Sequence, residues 1–281
     1  MNETLKRSLS GAIYVVLLIV AIVSSPESFF ILFGVFLLIA TKEFCDLQQI
    51  NRVVPSIIAV AIYILFYKVA VATTGFLYQL RFNKTFDLII LASTLIVFLK
   101  CIHFLFDNKI VKIDSFSKYI YLLGYIILPF VIMTKIPFGI NGYNPKILIS
   151  IFILIWTNDS FAYIVGKSIG KTKLFERISP KKTIEGSIGG IVFSVIAGYL
   201  ISKYYIQIAE RNIFIWIIIA LIVGFFGTIG DLIESKFKRL AGVKDSGKIM
   251  PGHGGVLDRL DSVIFVAPIV FLFYQILNYV S

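Results

Sequence analysis

The sequence predicts an all-helical integral membrane protein with about nine transmembrane helices. It places a polar active site at the cytosolic ends of the helices in the C-terminal half. Three observations predict this. The chain is 58% hydrophobic with a mean hydropathy of +0.91, more apolar than soluble domains. Its apolar residues gather in nine runs, most close to the ~20 residues a helix needs to cross a bilayer. Nearly all the dense polar sequence follows residue 150.

The runs lie near 9–24, 28–41, 53–74, 86–106, 119–134, 147–166, 187–206, 213–234 and 262–280. The first follows Lys6 and Arg7 and lacks a small-residue cleavage site, so it reads as a retained helix. The second and fifth are short for a straight crossing. With the N-terminus inside, cytosolic segments hold 19 Lys and Arg residues. The opposite side holds six: Arg81, Lys84, Lys135, Lys146, Lys203 and Arg211. Lys109, Lys112 and Lys118 count among the inside residues. This asymmetry accounts for much of the net charge of +11. It puts the loops at 167–186 and 235–261 in the cytosol and the C-terminus outside. Cys45 and Cys101 then face a reducing side and have no metal-ligand spacing, so they read as packing residues. His103 has no visible partner and reads as structural.

One membrane domain is expected, with residues 1–150 as scaffold and 151–281 as the catalytic half. Asn158 and Asp159 sit inside an apolar run, where polar groups are costly and usually functional. Asp231, Glu234, Ser235 and Lys238 share one helix face at i, i+3, i+4 and i+7, and Asp258 and Asp261 are also three apart. Gly227 and Gly230 would let helices approach closely. Between 171 and 186, Lys171, Lys173, Arg177, Lys181 and Lys182 surround a Ser179-Pro180 turn. Such a loop can grip a polyphosphate or face anionic headgroups.

Gly166-Lys167-Ser168 and Gly170-Lys171-Thr172 mimic the end of a phosphate-binding P-loop. Phe161 and Val165 stand where that motif needs glycine, and no strand precedes it. Magnesium takes oxygen ligands, commonly one or two carboxylates plus phosphates. Asp231 and Asp258, arriving from two helices, suit that role. His253, between glycines, reads as ordering a turn.

The stretch 235–261 resembles the signature of the phosphatidate cytidylyltransferases, also called CDP-diacylglycerol synthases. Ser235, Phe237, Lys238, Arg239, Lys244, Asp245, Gly247 and Pro251 carry its first part. His253-Gly254-Gly255-Val256 and Asp258-Arg259-Leu260-Asp261 carry the rest. Met250 is a conservative departure. Asn158 to Tyr163 and Ser179 to Gly186 are similar to further family elements. The resemblance implies transfer from CTP to phosphatidic acid, giving CDP-diacylglycerol and pyrophosphate. It implies Mg²⁺ at Asp231 and Asp258, with a second cation such as K⁺. Lys238, Arg239, Lys244, Asp245, His253, Arg259 and Asp261 join them as expected catalytic-site residues. Asn158, Asp159, Ser179, Lys181, Lys182, Thr183 and Glu185 are expected to serve cofactor and substrate binding. The expected setting is a bacterial inner membrane, with the bilayer and a homodimer as partners and no nucleic acid.

The chemistry fits these residue types. A phosphate monoester has a second pKa of about 6, so the lipid nucleophile is already largely dianionic at neutral pH. No general base is needed. Two anions must be brought together, so positioning and charge neutralisation should dominate. Rival readings fit less well. A CDP-alcohol phosphotransferase needs an Asp-Gly-x-x-Ala-Arg run that is missing. An aromatic prenyltransferase needs Asn-Asp-x-x-Asp, and here Asn158-Asp159 is followed by Ser160, Phe161 and Ala162. A CTP-dependent polyprenol kinase is the nearest alternative enzyme. A transporter would place charges midway along broken helices, whereas these cluster at one end and in loops.

Overall fold

The structure, a computed structural model, describes residues 3–71, 84–107, 113–139, 142–206 and 211–280. Arg81, Lys109, Lys112 and the last residues of the third apolar run, 72–74, lie outside the described residues. Among the described residues there are nine main helices. They are α1 (Glu3–Ser24), α2 (Pro26–Gln48), α3 (Val53–Val71), α4 (Lys84–Phe106), α5 (Ser115–Lys135), α6 (Pro145–Ile169), α7 (Ile184–Tyr205), α8 (Arg211–Leu240) and α9 (Leu257–Val280). Two small antiparallel hairpins complete the fold: β1 (Phe138–Gly139) with β2 (Gly142–Tyr143), and β3 (Lys173–Phe175) with β4 (Ser179–Thr183).

The chain is therefore a multi-pass helical membrane protein. Seven described helices, α2 and α4 to α9, are long and apolar enough to cross a bilayer. The two shorter apolar helices are Ser8–Ser24 and Val53–Val69. The sequence expectation put the short runs elsewhere, at the second and fifth. In α2 the charges Lys42 and Glu43 end the apolar run but not the helix, which continues to Gln48. In α5 a polar first turn, capped by Asp114 on the Ser117 amide, precedes the apolar run. A π-helical segment, Leu122–Ile127, then carries the helix onward.

Helix starts follow from local chemistry. Ser25 caps α2 in a reciprocal capping box with Ser28, and Pro26 opens the helix without an amide to lose. At α6 Asn144 accepts the Lys146 amide at 3.1 Å and Pro145 again opens the helix. Thr183 accepts the Gly186 amide at 3.2 Å and so ends β4 and starts α7. Gln49 closes α2 in the left-handed conformation, φ 55°.

The chain forms two compact units, and the boundary falls within α8 and within α9. Unit 1 comprises Met1–Lys135 and Phe237–Leu260. Its core holds fully buried Phe29, Phe33, Phe44, Tyr125 and Phe130. Phe237 anchors the later segment there, with ring centroids 4.9 Å from Phe104 and 5.3 Å from both Phe44 and Tyr121.

Unit 2 comprises Ile136–Lys236 and Asp261–Ser281. Helices α6 and α7 pack closely because glycines remove the side chains between them. A Cβ on Gly186 would lie 2.6 Å from the Ala162 carbonyl oxygen, and one on Gly190 2.7 Å from Asn158 Oδ1. Gly230 of α8 is needed in the same way, since a Cβ there would meet the Asp261 carbonyl at 2.8 Å. At Gly227 the corresponding contact is an ordinary 3.7 Å.

Candidate active site

In unit 2, α8 and α9 bring Asp231, Glu234 and Asp261 together, with one carboxylate oxygen of each within 4.8 Å of the others. Glu234 is fully buried, and the two aspartates are partly exposed. Ser235 Oγ donates to Asp231 Oδ1 at 3.2 Å. Three carboxylates this close repel one another unless a positive charge is near. The hairpin supplies one, because Lys182 Nζ lies 2.5 Å from Asp231 Oδ2. Burial opposes the charge on Lys182. The Asp231 carboxylate, with Asp159 and Asp261 adding to it, prevails and lifts the ammonium above the usual lysine range. Lys182 therefore stays protonated at neutral pH. Its contribution to stability is lost only as pH rises through that raised value.

The expected loop at 171–186 is thus a strand pair with a defined base. The Glu185 carboxylate accepts the amides of Lys171 and Thr172 at 3.0–3.1 Å. Lys173 Nζ donates to the Pro180 carbonyl at 2.7 Å. Ser179 begins β4, Lys181 is exposed on it, and Thr183 serves as the α7 cap. On α6, Asn158 is buried and its Nδ2 donates to Asp159 Oδ1 at 3.4 Å. Its Oδ1 is buried without a hydrogen-bond partner among the described residues. Asp159 is exposed.

In unit 1, the end of α8, the polar loop and the start of α9 form a second cluster. Asp258 is held on both oxygens. Lys238 Nζ lies 2.6 Å from Oδ1. Oδ2 accepts the Ser246 amide at 2.8 Å, the Ser246 hydroxyl at 2.9 Å and the Gly255 amide at 2.7 Å. The pair is nearly dry, with side chains 11% and 4% exposed. His253 Nδ1 lies 2.7 Å from Ser10 Oγ, which also donates to the Pro251 carbonyl. Arg239 is exposed and donates to the Val243 carbonyl, and Arg259 is exposed. Lys244 and Asp245, also exposed, line a cavity of 460 Å³ with Ser246, Gly247, Lys248 and Asp46.

Of the residues expected from sequence, Lys182, Asp231 and Asp261 meet in unit 2, and Lys238 and Asp258 meet in unit 1. Cys45 and Cys101 are buried free thiols. Sequence reasoning assigned no role to Glu234, although its i+3 spacing put it on the Asp231 face. It also passed over Glu43, Ser246 and Ser10. Glu43 accepts the amides of Val256 and Leu257 at 3.1 and 2.8 Å.

The donor set at Asp231, Glu234 and Asp261 is all oxygen and carries excess negative charge. That suits a hard divalent cation such as Mg²⁺. Asp258, the other carboxylate expected to hold metal, accepts Lys238 on Oδ1 and the Ser246 and Gly255 groups on Oδ2.

The sequence profile of the cytidylyltransferase family matches residues 5–277. Three bacterial relatives bear the name phosphatidate cytidylyltransferase. Those of Staphylococcus haemolyticus, Staphylococcus epidermidis and Staphylococcus aureus are 48%, 47% and 50% identical over 119 residues. That stretch is 42% of this chain and 45% of each relative, so the chain spans under half the length of the curated relatives it matches.

Proposed function

This chain belongs to the cytidylyltransferase family, and on that footing we propose that it joins CTP to phosphatidic acid, forming CDP-diacylglycerol and releasing pyrophosphate. The observation that carries the reading is the Asp231, Glu234 and Asp261 cluster closed by Lys182. Acids and cations dominate there, as anion-on-anion group transfer requires. The names of the staphylococcal relatives support the same substrates.

The lipid phosphate is the nucleophile. Its oxygen forms a bond to the α-phosphorus of CTP, the α–β bridging bond breaks, and pyrophosphate carries away the electron pair. The dianionic phosphate brings no proton to remove at neutral pH. Asp231, Glu234 and Asp261 are the residues that would hold Mg²⁺, which when bound supplies charge neutralisation to phosphate oxygens. Lys181 is exposed on the hairpin, so it is the cation we assign to the triphosphate. Lys182 balances the carboxylates. Lys238, fixed by Asp258, presents a second oriented ammonium.

Lys181→Gln should raise the KM for CTP about tenfold, the worth of one charge-assisted hydrogen bond. Its kcat and its KM for lipid should hold, as for loss of uniform binding. A change in the lipid KM alone would make the hairpin a headgroup-binding surface instead.

We also propose that the chain crosses a bacterial inner membrane nine times, with 167–186 and 235–261 in the cytosol. The 19-to-6 distribution of basic residues supports this. A single cysteine at Ser179, with Cys45 and Cys101 replaced, should resist an impermeant thiol reagent in intact cells and react after permeabilisation. Labelling from outside would reverse the topology.

Lipid-dependent release of pyrophosphate tests the function. Purified protein in vesicles should release it from CTP only when phosphatidic acid is present. Release that ignores the lipid would refute the assignment.

A further inference from the structure

We infer that Glu43, on α2 in the half of the chain read as scaffold, is a positioning residue for the Lys238–Asp258 pair; this rests on the function proposed above. Glu43 is only 5% exposed and sits in a span-length helix, where a carboxylate is costly unless well satisfied. Its donors all come from the polar loop and the start of α9. Oε1 accepts the Val256 amide at 3.1 Å and Oε2 accepts the Leu257 amide at 2.8 Å, while Ser246 Oγ lies 3.2 Å from Oε2 and shares its one proton between Glu43 and Asp258. Those amides open α9, and a carboxylate there also meets the positive end of the helix.

The loop is shaped to admit this carboxylate. A Cβ on Gly247 would lie 2.3 Å from Glu43 Oε1, and one on Gly255 2.4 Å from both oxygens. Glycine at each position leaves the space that Glu43 fills. Ser246 links the two acids, since its hydroxyl lies 3.2 Å from Glu43 Oε2 and 2.9 Å from Asp258 Oδ2. The Gly255 amide, one residue before the Glu43-bound pair, also holds Asp258. The chain of contacts runs from Glu43 through Ser246 and the 255–257 backbone to Asp258, and from Asp258 to Lys238. Glu43 touches no reacting atom. It sets the rotamer and depth of the Lys238–Asp258 ion pair.

The test is a double-mutant cycle on kcat in lipid vesicles, each variant normalised to its folded, monodisperse fraction. Glu43→Gln keeps the shape but not the charge, and should lower kcat about tenfold or more, as misplacement of a catalytic charge does. Ser246→Ala should lower it by a similar factor. The two together should cost little more than the worse single change, because both act through Asp258. A general loss of structure would instead multiply the two effects. Gly247→Ala, which pushes the carboxylate aside while keeping its charge, should reproduce the Glu43→Gln loss and be equally non-additive with Ser246→Ala. It decides the matter if Glu43→Gln does not fold. Wild-type-like kcat in Glu43→Gln, or fully multiplicative losses in the cycle, would overturn the role of Glu43 alone. A wild type that transfers nothing from CTP would overturn the functional reading and this inference with it.

Discussion

Asp231→Asn should reduce turnover a hundredfold or more, the usual cost of losing a key electrostatic group. The substitution removes one of three clustered carboxylates and the partner of Lys182. It keeps the size of the side chain and leaves Ser235 Oγ an acceptor at the same place. Folding should therefore survive, as size-exclusion chromatography in detergent will show. If the folded variant keeps more than about a third of wild-type turnover, Asp231 is not at the chemical centre. The loss should be accompanied by weaker dependence on added Mg²⁺, because the remaining acids, Glu234 and Asp261, make a poorer oxygen set.

The second large effect is expected at Lys238. Its ion pair with Asp258 is almost excluded from water, and removing one member of such a pair leaves an uncompensated buried charge. Lys238→Met should destabilise unit 1 by about 3 kcal/mol, the lower end for broken buried pairs. The lower end applies because Asp258 keeps the Ser246 amide and hydroxyl and the Gly255 amide. The double variant Lys238→Met/Asp258→Asn should recover part of that loss, since it removes the orphaned charge. An unchanged unfolding midpoint in Lys238→Met would show that the pair is better solvated than its burial implies. Activity should fall sharply in both variants, because the oriented ammonium is gone in each.

Much of this was legible in the chain. Apolar runs of bilayer length marked the helices, polar residues that interrupt or border those runs marked Asp231 and Asp261, and the run of cations between 171 and 186 marked Lys182. The i+3 spacing even placed Glu234 beside Asp231. Three things were not legible. Glu43 looks like an ordinary charge next to Lys42 at the end of an apolar run. Its partners lie 203 to 214 positions away, so nothing local announces them. The β3–β4 hairpin was hidden because Lys173–Phe175 and Ser179–Thr183 are too short to show alternation. A side chain beyond the hairpin, Glu185, holds its base. The length of α2 and α5 was misjudged because apolarity measures contact with lipid, whereas helical hydrogen bonding continues into polar turns.

The proposed reaction moves a cytidylyl group and not a phosphoryl group onto a lipid. CTP labelled at the α-phosphorus and CTP labelled at the γ-phosphorus, each given to the protein in vesicles containing phosphatidic acid, separate the two. The α-label should enter the lipid fraction as CDP-diacylglycerol, and the γ-label should leave entirely as pyrophosphate. Transfer of the γ-label to lipid would make the protein a CTP-dependent lipid kinase and contradict the account.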